Sequence, residues 1–304
     1  MILSMLTCFE NMQADGRVLT GIEMKDLTTM RVGGKADCVV FAGSVEDVRK
    51  TVQLCRENGI PLTVVGRGSN LIVRDGGLRG VVLQLGKEFG AVSVEGQTVT
   101  AQAGATLGAM VRAALEHGLE GLEFAEGIPG SVGGGVYMNA GAYGGEMAQV
   151  LRCVTALDAD GSLVTLNKDE LDMRYRHTAL MEKNCIVLEA VFDLKAGDKE
   201  EIAARMADFS QRRREKQPLQ YPSSGSFFKR PEGHFAGKLI QDAGLKGATI
   251  GGAQISELHA GFMINIGGAT AKDILMLMKK VQDEVRAQFD VELEPEVRII
   301  GEDA

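Results

Sequence analysis

The chain has 304 residues, 45% of them hydrophobic and 24% charged, a composition typical of a soluble globular protein rather than a disordered, collagen-like or coiled-coil chain. The 41 acidic residues outnumber the 33 basic ones and give a formal net charge of −8, which argues against a nucleic-acid ligand. No apolar run approaches the ~18 residues of a membrane span, so we expect no membrane insertion.

The N-terminus, MILSMLT, lacks the basic residues of a secretory signal and reaches Glu10 early, so we expect a cytoplasmic protein. None of the five cysteines forms a CxxC pair or a zinc-ligand spacing, which argues against thiol redox chemistry and a structural zinc site. Most of them lie in apolar runs and are interpreted as buried small side chains. They are Cys8, Cys38, Cys55, Cys153 and Cys185.

The first 120 residues alternate helices and strands, the pattern of an α/β domain. One helix is predicted to begin after Ser44, whose hydroxyl can cap it, and to end at Gly59. A second is predicted between Thr106 and Gly118. The predicted strands cover residues 60–65, 71–73 and 81–85.

Beyond a glycine-rich stretch, the pattern predicts a β-hairpin, a short capped helix, a strand and a long helix. These elements cover residues 150–157 with 163–166, then 167–171, 185–194 and 199–214. Pro218 and Pro222 bracket a linker, after which the last third carries a helix at 271–289 and a strand at 297–300. At roughly 150 residues per domain, the length also predicts about two domains. We therefore predict a first domain of residues 1–217, with subdomains of about 1–90 and 91–217, and a second of 218–304.

The segment GRGSN follows a predicted strand and forms the first glycine loop, residues 66–70. Gly66 and Gly68 allow backbone N–H groups to converge on an anion. The loop is not a dinucleotide-binding fingerprint, because Leu71 stands where the third glycine belongs and a strand is predicted to follow. Taken alone, the segment favours a plain tight turn.

The second glycine loop, residues 127–145, has eight glycines in nineteen residues. Unlike a flexible linker, it also carries Ile128, Val132, Val136 and Met138, which would anchor it to a core. So many glycines in an anchored segment favour a backbone that lies closely against a bulky planar or phosphorylated ligand.

Two ordered glycine loops in an α/β frame resemble the flavin domain of the vanillyl-alcohol-oxidase type. The resemblance implies an α+β fold in which FAD lies between two subdomains, followed here by a C-terminal α+β substrate-binding domain. No His or Cys stands beside the first loop, so we expect FAD to be bound non-covalently. The residues expected to bind FAD are Gly66, Arg67, Gly68, Ser69, Asn70, Gly127, Gly130, Ser131, Gly133, Gly134, Gly135, Asn139, Ala140 and Gly141.

Three polar segments could supply catalytic groups. In SSGSFFKR, residues 223–230, small hydroxyls precede two aromatic and two cationic side chains, so one of them could donate a proton. Glu296 and Arg298 alternate toward one face of a strand, and Arg176 could brace a carboxylate through paired N–H groups. Each segment also has a structural interpretation, as a turn, a surface ion pair or a peripheral salt bridge.

Seven motifs occur in order between about Thr28 and Gly301, and together they favour the catalytic interpretation of these segments over the structural one. They are GRGSNLIVRDGG, GIPGSVGGGVYMNAGAYGGE, YRHT, SSGSFFKRP, AGKLIQDAGLKG, HAGFMIN and LEPEVRIIG. Together they resemble the UDP-N-acetylenolpyruvylglucosamine reductase (MurB) family, in its shorter subtype that lacks an inserted tyrosine-bearing loop.

The resemblance implies an NADPH-dependent reduction, through FAD, of the enolpyruvyl ether of UDP-N-acetylglucosamine to UDP-N-acetylmuramate, in peptidoglycan precursor synthesis. It implies Arg176, Ser226 and Glu296 as catalytic residues, with Ser226 protonating C2. The implied substrate-binding residues are Tyr175, Lys216, Arg230 and Arg298. Arg213 and Arg214 are alternatives to Lys216, and Arg230 departs from the asparagine that the family allows there.

Two other functions fit the same motifs less well. A flavin oxidase of this fold, acting on a sugar or lactone, would often carry a residue for covalent flavin attachment. A nucleotide-sugar sensor without catalysis would not need Arg176, Ser226 and Glu296 together. The partner expected is a small-molecule nucleotide-sugar substrate, and the sequence gives no indication about protein partners.

Overall fold

A computed structural model describes residue 9 and residues 17–304 of the chain, so Cys8 and the MILSMLT segment lie outside the described residues. The chain divides into two compact units. The first comprises residue 9, residues 17–19, Cys38–Arg67 and Gly80–Arg212, and the second comprises Thr20–Asp37, Gly68–Arg79 and Arg213–Ala304. The second unit therefore takes in two early segments besides the C-terminal third, whereas the sequence predicts a single boundary at 217/218.

Seven α-helices occur in the part of the chain that the structure describes. They are α1 Val45–Glu57, α2 Leu107–Glu116, α3 Val132–Tyr137, α4 Ala179–Glu182, α5 Lys199–Lys216, α6 Ala236–Asp242 and α7 Ala271–Phe289. Of these described helices, none combines the length and the apolar character that crossing a bilayer would need.

Within the described residues, the strands form two four-stranded sheets, one five-stranded sheet and three two-stranded pairs. They are β1 Val18–Thr20, β2 Ala36–Ala42, β3 Leu62–Val65, β4 Leu71–Val73, β5 Leu78–Leu85, β6 Val92–Glu95, β7 Thr98–Gln102, β8 Leu119–Glu120, β9 Gly141–Ala142, β10 Gly145–Glu146, β11 Leu151–Leu157, β12 Leu163–Asn167, β13 Ile186–Asp193, β14 Lys195–Ala196, β15 Ser223–Ser226, β16 Thr249–Ile250, β17 Ala253–Ile255, β18 Phe262–Asn265 and β19 Arg298–Ile300. The larger sheets run in the orders β1-β2-β5-β3, β12-β11-β13-β7-β6 and β15-β18-β17-β16.

Helix α1 begins as the sequence predicts, because Ser44 caps it. The Ser44 hydroxyl accepts a hydrogen bond from Asp47 N at 3.1 Å, which satisfies one of the donors that a helix start leaves unpaired. Burial alone would raise the pKa of Asp47, but bonds from Gly43 N and Ser44 and an ion pair with Arg17 hold it below its usual value. The helix ends at Asn58, followed by Gly59 in the left-handed region.

The core of the first unit surrounds the five-stranded antiparallel sheet, into which α2 packs Leu107, Met110 and Val111. Three of the predicted buried cysteines, Cys38, Cys55 and Cys185, are confirmed as buried, and Cys153 is half-buried. Burial raises the pKa of the Cys153 and Cys185 thiols, which keeps them protonated near neutral pH.

The core of the second unit lies between the β15-β18-β17-β16 sheet and α7, whose predicted range of 271–289 is confirmed. Thr270 caps the helix and Asp273 completes a capping box. Both carboxylate oxygens of Asp75 accept hydrogen bonds from the first turn, from Ala271 N at 2.8 Å and Lys272 N at 2.9 Å. The start of α7 is therefore fixed from within and from a loop that lies about 200 residues earlier.

Candidate active site

The first glycine loop, residues 66–70, combines close packing with unused hydrogen-bond donors. Gly68 has φ of +63°, and a Cβ built on it would clash with the Leu27 carbonyl oxygen, so a side chain does not fit there. In the described part of the chain, no backbone N–H from Gly66 to Ser69 donates to a protein acceptor. Four consecutive donors without protein acceptors are suited to an anion such as a diphosphate.

The second glycine loop is partly helical, which the sequence did not predict. Helix α3 begins at Val132, and the Ser131 hydroxyl accepts from Gly134 N at 3.4 Å. A Cβ on Gly133 would lie 2.7 Å from Ala103 Cβ, so Gly133 is required by packing against the core. Gly134, in contrast, is exposed, and a Cβ there would meet only Ser131 Oγ, at 3.4 Å.

Gly135 faces the core as Gly133 does, with Leu107 Cδ2 at 3.1 Å from the position of a Cβ. Gly127 and Gly130 lie in turns that lead to Ser131, and Gly141 packs against the opposite strand of the β9–β10 hairpin. Backbone geometry and packing thus account for most glycines of the loop, whereas neither a positive φ nor a close contact requires glycine at Gly134, whose missing side chain leaves the surface of α3 open.

The first glycine loop starts in the first unit, to which Gly66 and Arg67 belong, and continues in the second unit from Gly68. A Cβ built on Gly66 would clash with Ser131 Oγ, so Gly66 and Ser131 are in direct contact within the first unit. Gln84, which no motif indicated, donates from Nε2 to the Gly66 carbonyl at 3.4 Å. Its Oε1 is buried and has no partner among the described residues, so it is an acceptor available beside the first loop.

Tyr175 and Arg176 lie at the tip of a tight turn. Arg174 and His177 close this turn with two backbone hydrogen bonds of 3.0 and 3.1 Å. Arg176 has φ of +55°, a conformation that costs about 1–3 kcal/mol for a non-glycine residue. Its guanidinium lies 4.9 Å from the Tyr175 ring centroid, and Nη1 donates to the Asn139 carbonyl at 3.4 Å. The turn therefore contacts the second glycine loop.

Ser226 and Glu296 belong to paired extended segments of the second unit. Glu296 N donates to the Phe227 carbonyl at 2.8 Å, and Lys229 N donates to the Glu294 carbonyl at 2.8 Å. Since the two backbones are hydrogen-bonded, Ser226 and Glu296 lie on neighbouring segments, and the structure brings these two predicted catalytic residues close in the second unit.

A bulge in β15 separates the roles of its serines. Gly225 has φ of +75°, and the pairing with β18 shifts between Ser223 and Ser226. Ser226 is exposed as a result, whereas Ser224 is only 5% exposed and its Oγ has no partner among the described residues. The accessible hydroxyl is thus the one that the motif predicts.

Asn70, the last residue of the first loop, lies against the Glu296 segment. Its Nδ2 donates to the Glu296 carbonyl at 3.2 Å, and its own carbonyl accepts from Arg298 N at 2.9 Å. The parallel pairing of β4 with β19 continues from this point. Arg298 is thereby placed beside the first glycine loop in the second unit.

Comparison with known proteins identifies the family. A model of the UDP-N-acetylenolpyruvoylglucosamine reductase C-terminal domain matches residues 217–300, and a model of an FAD binding domain matches residues 36–167. A UDP-N-acetylenolpyruvoylglucosamine reductase of Clostridium botulinum strain Hall is 52% identical over 97% of this chain and 96% of its own length. That of strain Alaska E43 is 50% identical over 97% of each chain. The chain belongs to the UDP-N-acetylenolpyruvoylglucosamine reductase family.

The crystal structure of the Thermus caldophilus reductase of this family has a TM-score of 0.80 and 37% identity, covering 91% of this chain and 97% of that one. Membership confirms the predicted family, the predicted α+β class with an FAD-binding domain and a C-terminal reductase domain, and the prediction of a flavin-dependent oxidoreductase. The N–H groups from Gly66 to Ser69, which have no protein acceptor among the described residues, are suited to the diphosphate of such a cofactor.

The cationic side chains predicted to bind the substrate differ in solvent exposure. This difference distinguishes the three candidates at the end of α5, which are Arg213, Arg214 and Lys216. Arg213 is buried at 7% exposure, whereas Arg214 and Lys216 are exposed. The Arg230 guanidinium lies 4.7 Å from the ring centroid of Phe235, which is 63% exposed. Only Arg214 and Lys216 thus remain as accessible candidates at that helix end.

Proposed function

We propose that this protein reduces UDP-N-acetylglucosamine enolpyruvate to UDP-N-acetylmuramate with NADPH as the hydride donor, in the cytoplasmic synthesis of peptidoglycan precursors. One observation supports the proposal above the others: in a chain of this family, an exposed Ser226 hydroxyl lies on a segment hydrogen-bonded to that of Glu296.

The residues that would hold FAD are those with unused donors and open surface. The N–H groups from Gly66 to Ser69 would bind its diphosphate, Gly134 would allow close approach, and Gln84 Oε1 could accept from a hydroxyl. When bound, FAD supplies the hydride transfer that connects NADPH to the substrate.

The side chains proposed for catalysis act after hydride has been added at C3 of the enolpyruvyl group. Negative charge then develops at C2 and its carboxylate, and a positioned cation stabilises it. Arg176 supplies that cation, held in its turn against the second loop. Ser226 donates its hydroxyl proton to C2, which as the carbon of an enolate is basic enough to accept it. Glu296 lies on the segment that is hydrogen-bonded to that of Ser226.

Four further side chains would bind the rest of the substrate. Cationic guanidinium and ammonium groups suit its carboxylate and diphosphate, and guanidinium can bind either through two parallel hydrogen bonds. These residues are Tyr175, Lys216, Arg230 and Arg298.

Anaerobic half-reactions test the proposal. NADPH should bleach the flavin absorbance of the purified holoenzyme, and the enolpyruvyl substrate should restore it under nitrogen, with the lactyl ether identified by mass spectrometry. Recovery with oxygen but not with this substrate would favour a sugar or lactone oxidase. A protein that purifies without flavin absorbance and binds none would favour a nucleotide-sugar sensor.

A further inference from the structure

We propose that Asn70 and Asn139, which lie in the two glycine loops, are positioning residues that hold Glu296 and Arg176 respectively. The inference rests on the proposed function, since it gives a role to two residues placed in that mechanism. It differs from the expectation that both asparagines bind the cofactor.

Asn70 fixes the backbone from which the Glu296 side chain projects. The Glu296 N–H is bonded to the Phe227 carbonyl at 2.8 Å, on the segment next to Ser226. Its carbonyl accepts from Asn70 Nδ2 at 3.2 Å, so both backbone groups of Glu296 are engaged. The Arg298 N–H donates to the Asn70 carbonyl at 2.9 Å, so Asn70 also holds the first residue of β19, two positions after Glu296. A shift of Asn70 would therefore move Glu296.

In the first unit, Asn139 fixes the backbone of the turn that carries Arg176. Its side chain is fully buried, donates from Nδ2 to the Arg174 carbonyl at 3.1 Å and accepts from Ala148 N at 3.0 Å. The Arg174 carbonyl also accepts the bond from His177 that closes the Arg176 turn. The Asn139 side chain thus holds the backbone of that turn through the Arg174 carbonyl. The Asn139 backbone carbonyl in addition accepts a hydrogen bond from Arg176 Nη1.

The turn needs such support, because the left-handed backbone at Arg176 persists only when its surroundings hold it. An asparagine amide suits the task, since it offers a donor and an acceptor on one short side chain. Both amide atoms of Asn139 and the donor of Asn70 are engaged by the protein itself. The asparagines therefore couple each loop to a catalytic side chain.

Two substitutions at Asn70 separate this role from cofactor binding. Asn70→Ala removes the donor, and Asn70→Asp keeps an acceptor in the same shape but cannot donate to the Glu296 carbonyl. Both should purify with wild-type flavin occupancy and bleach normally with NADPH, while recovery with the enolpyruvyl substrate slows about 10- to 100-fold, as a misplaced catalytic group does. Loss of flavin in Asn70→Ala, with occupancy and rate kept in Asn70→Asp, would overturn the proposal.

A double-mutant cycle tests whether Asn70 acts through Glu296. Asn70→Ala combined with Glu296→Gln should be no slower with substrate than Glu296→Gln alone. Independent, multiplying effects would contradict the coupling. The matched control is Asn265→Ala, since Asn265 also donates from Nδ2 to a backbone carbonyl, that of Met30 at 3.1 Å. It should lower thermal stability without changing the ratio of the two half-reaction rates.

Asn139→Gly tests the second coupling, because glycine tolerates the φ of +43° at this position and only the amide is lost. It should slow the substrate half-reaction and leave the NADPH half-reaction unchanged. Because Asn139 is buried, a folding failure is possible, and the Asn70 variants carry the test in that case.

Hydrogen exchange separates this inference from the proposed function. Exchange should speed up in a peptide covering residues 294–300 of Asn70→Ala, and in one covering 174–178 of Asn139→Gly, but in neither peptide of Asn265→Ala. This readout needs no substrate, so it stands even if the wild type fails to reduce the enolpyruvyl ether. Unchanged exchange in both variants would overturn the positioning role.

Discussion

At the scale of single residues, the three neighbouring serines of β15 show how a small backbone irregularity selects one hydroxyl. In a regular strand Ser224 and Ser226 would point to the same face. The bulge at Gly225 instead buries Ser224 and exposes Ser226. The sequence indicated Ser226 only through family resemblance, because alternation alone cannot distinguish two serines two positions apart.

Ser226→Ala is expected to bind FAD and to be reduced by NADPH at the wild-type rate. Reoxidation by the enolpyruvyl substrate should fall roughly 10²–10⁴-fold, the usual contribution of a positioned acid. Anaerobic stopped-flow absorbance measures both steps.

The control is Ser224→Ala, which removes a buried hydroxyl that has no partner among the described residues. Since nothing is left unpaired, its stability should be unchanged or slightly higher, and its rates should match the wild type. A slow Ser224→Ala beside a normal Ser226→Ala would show that the proton donor is misassigned.

The consecutive glycines of α3 give a second residue-scale prediction. Gly134→Val should fold with near wild-type stability, because its Cβ meets only Ser131 Oγ, but should purify without FAD. Gly133→Ala should lose about 1–3 kcal/mol of unfolding free energy even without FAD, since its Cβ would press on Ala103. Flavin content and apo-protein denaturation measure the two effects. Full flavin occupancy in Gly134→Val is the result that rules out this surface as the cofactor's.

At the scale of elements, the sequence predicted those helices and strands whose residue pattern lies within a single short segment. Helix α7 has apolar residues at helical spacing and a capping Thr270, and its range is confirmed. Helix α3 was missed because three consecutive glycines have low helix propensity, and packing against Ala103 overrides it. The pairing of β4 with β19 was also missed, since it joins segments more than 200 residues apart that carry no shared motif.

The start of α7 carries a pH-dependent prediction. Hydrogen bonds from Thr270 and Gly252, and the nearby Lys272, lower the pKa of Asp273 below its usual 3.8. A carboxyl with a lowered pKa stabilises the fold above its unfolded value, and that contribution is lost as the pH falls through the folded value. Asp273→Asn should therefore cost about 0.3–1 kcal/mol near neutral pH.

Urea denaturation of Asp273→Asn and wild type at several pH values measures that difference. It should shrink as the pH falls below 3.8. Asp283→Asn is the control, because Asp283 forms an exposed ion pair with Lys279 on the same helix, and such pairs contribute little. A difference between wild type and Asp273→Asn that stays constant across the pH range would contradict the capping role of the charge.

At the scale of the whole molecule, contacts between distant segments decide which residues share a compact unit. The linker between Pro218 and Pro222 lies near the division at 212/213. Residues 20–37 and 68–79, however, belong to the same unit as the C-terminal third, with Met30, Val32 and Ile72 in its core. Such membership is set by contacts between distant segments, which hydrophobic periodicity does not encode.

Binding of FAD should stabilise the folded protein against unfolding. If FAD binds the native protein and not the unfolded chain, each tenfold rise in free FAD above its Kd adds about 1.4 kcal/mol to the unfolding free energy. The unfolding midpoint of the apo protein should therefore rise steadily with the logarithm of FAD concentration. Gly134→Val should keep the apo midpoint and lose this dependence if the surface at Gly134 binds the cofactor, because the substitution would close that surface without disturbing the core. Gly133→Ala should show the reverse, a lower midpoint that still rises with FAD. If both variants respond to FAD as the wild type does, the cofactor does not approach the backbone at α3, and the N–H groups of residues 66–69 would have to bind it without the second loop.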